Sequence, residues 1–215
     1  MTPIRAISRT KRQVGGAALL AAALGLGACA STPTQFYTLM PPPAAAVPAT
    51  APYQIEVQGV EVPPQVATQQ LVVRTSAGEL VPVDTRRWIA PLGDEIRDAL
   101  SAGLAQRLGA HDVHGLANAM APKGQGLPTW RVNLKVQRFE SALGAYARID
   151  AMWTLRRSDD GGAALTCASS VSESVGPGYE ALAEGHQRAV AELAGRIAAA
   201  ISSAAAGTAP SCPPG

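Results

Sequence analysis

Between residues 129 and 175 the chain switches the polarity of its side chains at almost every step. In "WRVNLKVQRF", Trp130, Val132, Leu134 and Val136 alternate with Arg131, Asn133, Lys135 and Gln137. "YARIDAMWTLRR" repeats the alternation with Ala147, Ile149, Ala151, Trp153 and Leu155 on the apolar side. Successive side chains leave opposite faces of a pleated strand, so a period of two means one dry face and one wet face. Asp159-Asp160-Gly161-Gly162 is a turn signal, and "AALTCASSV" follows as a third strand. Three such strands in succession predict an antiparallel meander whose dry face must be covered by something else. The alternation slips at Arg138-Phe139, which predicts a bulge.

The cover is also legible. From Pro91 to Leu108 the period changes to four, with Leu92, Ile96, Leu100, Leu104 and Leu108 on one stripe. Pro91 suits the first turn, Asp94 and Glu95 suit the positive end of a helix, and Gly109 suits its stop. "GYEALAEGHQRAVAELAGRIAAAIS" predicts a second amphipathic helix with Leu182, Ala189, Val190, Leu193, Ile197 and Ile201 inward. Ahead of the first helix, "FYTL" at 36–39 and "YQIEVQGVEV" read as strands, the latter with Ile55, Val57 and Gly59 on one face. "LVVRT" and "ELVPVD" flank Ala77-Gly78 as a hairpin, and Pro82 predicts a sheet edge for its second strand. The expected class is α+β: a two-layer sandwich of one largely antiparallel sheet with both helices on one face.

The first 28 residues follow other rules. Arg5, Arg9, Lys11 and Arg12 precede an uncharged run from Val14 to Ala28, and no acid occurs before Glu56. Fifteen helical residues would rise about 22 Å, short of a bilayer core, so the pattern fits a signal peptide. Leu26-Gly27-Ala28-Cys29 matches a bacterial lipobox. There the thiol takes a diacylglycerol, small residues admit the peptidase, and the freed amine takes a further fatty acyl chain such as palmitate. Three chains would hold the protein on a membrane essentially permanently. A plain secretory signal with a chance cysteine, or an uncleaved anchor, are the alternatives. Ala30 and Ser31 follow Cys29, without the Asp that retains lipoproteins at an inner membrane, which points to the outer membrane facing the periplasm.

The organisation expected is therefore a signal peptide over 1–28 and a lipid-anchored segment over 29–52. The latter ends in the Pro/Ala spacer "MPPPAAAVPATAP", a stiff tether or a crossing loop. A domain over 53–203 and a tail over 204–215 follow. Removal of the leading cations turns the formal charge of +2 into about −2, so the basic pI is no sign of nucleic-acid binding. With Cys29 acylated, Cys167 and Cys212 remain in a compartment that permits disulfides. A bridge between them would pin the tail to the sheet, and two unpaired thiols are the alternative.

No catalytic constellation emerges. The chain has no G-x-S-x-G, no Walker loop and no G-x-G-x-x-G after a strand, and its carboxylates are scattered. His111-Asp112-Val113-His114 has no third ligand nearby, so no metal or other cofactor is expected. His186 falls at a packing position of the last helix. Arg86-Arg87-Trp88 could form a partner-binding corner. The residues alone fit better a Trp stapling the helix entrance with both arginines in solvent.

"FYTL", "YQIEVQGVEVPPQV" at 53–66, "QLVVRT" at 70–75, "RRWIAPLGDEIRDALSAGLAQRL" at 86–108 and the closing helix resemble, in order and spacing, the ABC-type transport auxiliary lipoproteins. That family includes the lipoprotein subunit of paraquat-inducible (Pqi) transport systems. The resemblance implies a non-enzymatic docking or receiving component. Its partners would be a mammalian-cell-entry (MCE) domain protein and an ABC-type or membrane permease component, moving lipids between membranes in support of envelope integrity. It leaves a homo-oligomer open, and it raises interest in Trp88, since the "WIAPL" corner recurs in such proteins. A general envelope-assembly scaffold or chaperone lipoprotein is the competing expectation.

Overall fold

The structure is a computed structural model that describes residues 32–42, 48, 50–116, 126–158, 164–209 and 211–213. The chain divides into a unit ending at Pro33 and a compact unit from Thr34 to Gly215. The expected signal peptide, lipobox and Cys29 lie outside the described residues, as do the Asp159–Gly162 turn and residues 117–125.

The compact unit runs β1 (Gln35–Tyr37), β2 (Gln54–Glu61), a 3-10 turn (Pro64–Val66), β3 (Gln70–Ser76), β4 (Glu79–Trp88) and α1 (Leu92–Leu108). It continues through β5 (Thr129–Ala142), β6 (Tyr146–Arg157), β7 (Leu165–Ser174) and α2 (Tyr179–Ala205). The meander forms as its alternation demands: β5, β6 and β7 are antiparallel neighbours, and Val132, Leu134, Val136, Ile149, Ala151, Trp153 and Leu155 are buried. The bulge falls at the slip, between Val136 and Arg138, and returns Phe139 to the interior. Both helices cover the same face of this sheet, α1 over β2 and α2 over β6 and β7. They cross where Gly103 meets Ala194, so close that a Cβ on Gly103 would stand 3.0 Å from the Ala194 methyl.

Three expectations are corrected. The strands make two sheets rather than one, a four-stranded β2-β5-β6-β7 and a three-stranded β1-β4-β3, and both are mixed. β2 pairs parallel with β5, and β1 parallel with β4. Parallel neighbours need a crossover, and α1 supplies it between β2 and β5. Second, the register of β2 shifts between Val57 and Val60. Gly59 is therefore exposed, while Val60 turns toward the core and its carbonyl abuts Gly93 at the start of α1. Third, β4 is the middle strand of its sheet, yet β1 reaches only Arg86–Trp88. At Pro82 the strand has β3 on one side and no described strand on the other, so the proline sits at a local edge.

Candidate functional site

The corner flagged by Arg86-Arg87-Trp88 is where β1, β4, α1 and α2 converge. β1 lies on the last three residues of β4, pairing Phe36 with Arg87 and Tyr37 with Trp88. The junction continues through Ile89, whose N–H donates to the Tyr37 carbonyl at 2.8 Å. Alternation then sends the three flagged residues to different places. Trp88 points in and is 2% exposed. Arg86 lays its guanidinium over the Tyr179 ring, 5.2 Å from the centroid. Arg87 is half-buried and shares the outward face with Phe36.

Behind Trp88 is a buried polar–aromatic cluster. The indole meets Phe139 and His186 edge-on, each with centroids 6.1 Å apart, and Phe139 stacks on the imidazole at 3.9 Å. His186 is completely buried, and its Nε2 lies 2.8 Å from Ser141 Oγ. Its Nδ1 has no hydrogen-bond partner among the described residues. Burial pushes the imidazole pKa down to about 3, so the ring is neutral at physiological pH. A serine beside a neutral histidine has the ingredients of an activated nucleophile, but such a pair needs an orienting third group and access to substrate. Here Trp88 and Phe139 close over the ring, and its second nitrogen has no carboxylate. The arrangement joins β5 to α2.

A second buried polar group fixes β1. Glu95, 4% exposed, accepts hydrogen bonds from Thr38 Oγ1 at 2.8 Å and from the Leu39 N–H at 2.7 Å. From the other helix, Gln187 Nε2 donates to the carbonyls of Thr38 and Met40. Leu39 itself is 1% exposed. Both helices therefore grip the chain as it leaves β1. By sequence Glu95 suits only the positive end of a helix, and Gln187 has no expected role. One signal was present: Glu95 stands three residues after Leu92 and four before Ala99, on the buried stripe of α1.

The spacer starts at this grip, and near its far end the Ala51 N–H donates to the carbonyl of Gly109, the residue just past α1, at 3.0 Å.

Elsewhere the polar groups serve structure. Asp112 accepts from the N–H groups of Val57 and His114 and from Ser101 Oγ, tying the loop after α1 to β2. His111 is exposed, and among the described residues no group of three or more His, Cys, Asp or Glu could hold a metal. An open hollow of about 230 Å³ lies between the 3-10 turn and β5, lined in part by Pro63, Val66, Arg74, Arg138 and Glu140. Arg74 pairs with Glu140 at 2.6 Å, and Tyr146 donates to the same carboxylate. Burial alone would raise the Glu140 pKa, but these hydrogen bonds outweigh it and the net shift is downward. Across the outer face of the four-stranded sheet, Arg148 and Ser170 do the same for Asp150. The hollow's charged groups thus answer one another, Arg74 and Arg138 both facing Glu140. Cys167 and Cys212 are joined in a disulfide that ties the segment after α2 to β7.

No helix among the described residues is long and apolar enough to cross a membrane. No curated protein matches the chain in sequence. Solved structures share its fold. A crystal structure of an uncharacterized protein superposes with a TM-score of 0.60 at 20% identity, covering 79% of this chain and 99% of its own. A DUF330 protein from Xanthomonas campestris gives 0.54 at 20% identity, covering 77% and 93%. The model of the family described as the ABC-type transport auxiliary lipoprotein component matches residues 37–198, from the end of β1 to near the end of α2. That match takes in almost every element of the fold, and the chain belongs to this family of transport auxiliary lipoproteins.

Proposed function

We propose that this protein is a non-enzymatic docking or receiving component of an MCE-type intermembrane lipid transport system. It is held on the periplasmic face of the outer membrane by lipids on Cys29. The observation that carries this reading is the family match over residues 37–198, directly downstream of a lipobox. Leu26, Gly27 and Ala28 are the recognition residues for processing, residues 1–28 the discarded leader, and Cys29 the first residue of the mature chain. The closed Ser141–His186 pair and the self-neutralised hollow support a binding role over a catalytic one. MCE-domain and permease components are the partners.

Two measurements test the proposal. Metabolic labelling with a fatty acid should mark the wild-type chain, and Cys29→Ala should remain an unlabelled precursor; labelling of that variant refutes the anchor. Gentle detergent extraction followed by affinity capture should recover an MCE-domain protein. If instead deletion disturbs outer-membrane protein or lipopolysaccharide assembly, and no such protein is captured, the chain is an envelope-assembly lipoprotein.

A further inference from the structure

The grip on β1 limits where the domain can stand. With β1, Leu39 and the start of the spacer held by Glu95 and Gln187, the spacer adds nothing to the reach of an anchor at Cys29. Only the chain between Cys29 and Gln35 is left as tether, and fully extended it spans about 20 Å. A domain so tethered stays at its own membrane, with the β1 edge of the three-stranded sheet foremost, because that is where the chain enters it.

That edge is not built for water. Among the described residues Phe36 is 56% exposed and Ile89 59% exposed, and of the large hydrophobic side chains only Leu116, at 66%, is more so. Phe36 pairs with Arg87 across the ladder and shares its outward face, and Ile89, exposed in the bend just after β4, stands at the end of the same ladder, where its N–H bonds Tyr37. Two exposed apolar side chains around a guanidinium are the composition of an interfacial membrane contact. There the apolar groups enter the acyl boundary and the cation meets lipid phosphates. We infer that Phe36, Arg87 and Ile89 form a bilayer-docking face, which seats the domain edge-on against the membrane that holds its anchor. The inference rests on the reading of Cys29 as the acylated residue.

The test uses the full chain, purified from membranes and reconstituted in vesicles of phosphatidylethanolamine and phosphatidylglycerol. Phe36→Cys is labelled with an environment-sensitive fluorophore, and Thr154→Cys on the outer face of the four-stranded sheet serves as the reference. Mass spectrometry of the Cys29 peptide establishes acylation independently. The expected result is a blue-shifted label at position 36 that loses roughly half or more of its emission to nitroxide-headgroup lipids, with little change at position 154. In an Arg87→Ser, Ile89→Ser background the position-36 quenching should fall severalfold while the protein stays vesicle-bound. An acylated chain whose position-36 label is as wet as the reference overturns the docking face and leaves the anchor standing. A dry label that lipid does not quench also overturns it, showing the face covered by protein, a second copy or a transport partner. An unacylated chain overturns both readings.

Discussion

Two regions of this molecule bury large side chains by different means. Away from the β1–β4 corner the interior between the meander and its covering helices is almost all hydrocarbon, and the one indole N–H of Trp153 is answered by Ser169 on the adjacent strand. At the corner of β1, β4 and the helix starts, Trp88 and Phe139 share the interior with Glu95, Ser141 and His186. The partners there come from far along the chain: 56 residues separate Leu39 from Glu95, 45 separate Ser141 from His186, and 149 separate Thr38 from Gln187. Hydrocarbon contacts are forgiving, since many shapes fill a core approximately. A buried carboxylate or imidazole is satisfied only when particular partners arrive, and removing one strands the other. The corner should therefore be the less tolerant and the more separately breakable region.

The largest effect should come from Trp88→Ala. It removes the wall over Phe139 and His186 and should cost about 3–5 kcal/mol by urea unfolding, as should Trp153→Ala in the meander. The two variants should differ in character, Trp88→Ala also loosening β1 in hydrogen exchange. Equal exchange at Phe36–Leu39 in both would erase the distinction.

Next, opening the disulfide by Cys212→Ser should lower stability by at most about 4 kcal/mol, from the 45-residue separation of the cysteines. This is a meander-side effect, read as a drop in Tm that reductant reproduces in the wild type. An unchanged Tm would mean that the tail contributes nothing to the folded state.

Glu95→Ala should cost about 2–3 kcal/mol, leaving the Leu39 N–H and the Thr38 hydroxyl without an acceptor. The signature is local: proteolysis and exchange should rise between residues 34 and 42 while β5–β7 stay protected. Uniform destabilisation would show the corner to be no separate unit.

The smallest effect concerns pH. His186 titrates near 3 when folded, against an ordinary value of 6.5 when unfolded. Between those limits the unfolded chain binds a proton that the folded chain does not. Stability is thus fully present above about 6.5 and declines as pH falls, by about 2 kcal/mol at pH 5. Glu140 and Asp150, shifted downward in the fold, withdraw their contributions only at lower pH, as they protonate. His186→Gln should accordingly flatten the profile between pH 7 and 5 and leave the steeper acid limb intact.

The sequence legibility follows the same division. The inward sets of β5, β6 and α2, the helix from Leu92 and the bulge before Phe139 were all readable, because each is a periodicity within one element. The parallel pairings were not, since alternation names a strand's dry face but not its neighbour. Gly59 was misassigned because a register shift between Val57 and Val60 is decided by what the strand packs against, here the start of α1 at Gly93. His186 was read as a packed residue, but its aromatic stack and its serine were invisible.

By itself, then, the sequence determined the class of fold and the identity of most core faces, since both are written in local pattern. Only the tertiary structure decided that the chain leaving β1 is locked to both helices, and that Arg87 shares its outer face with Phe36. Those facts depend on Glu95 and Gln187 reaching the same short segment from two different helices. A hydrogen bond between distant residues leaves no periodic trace in the chain that makes it.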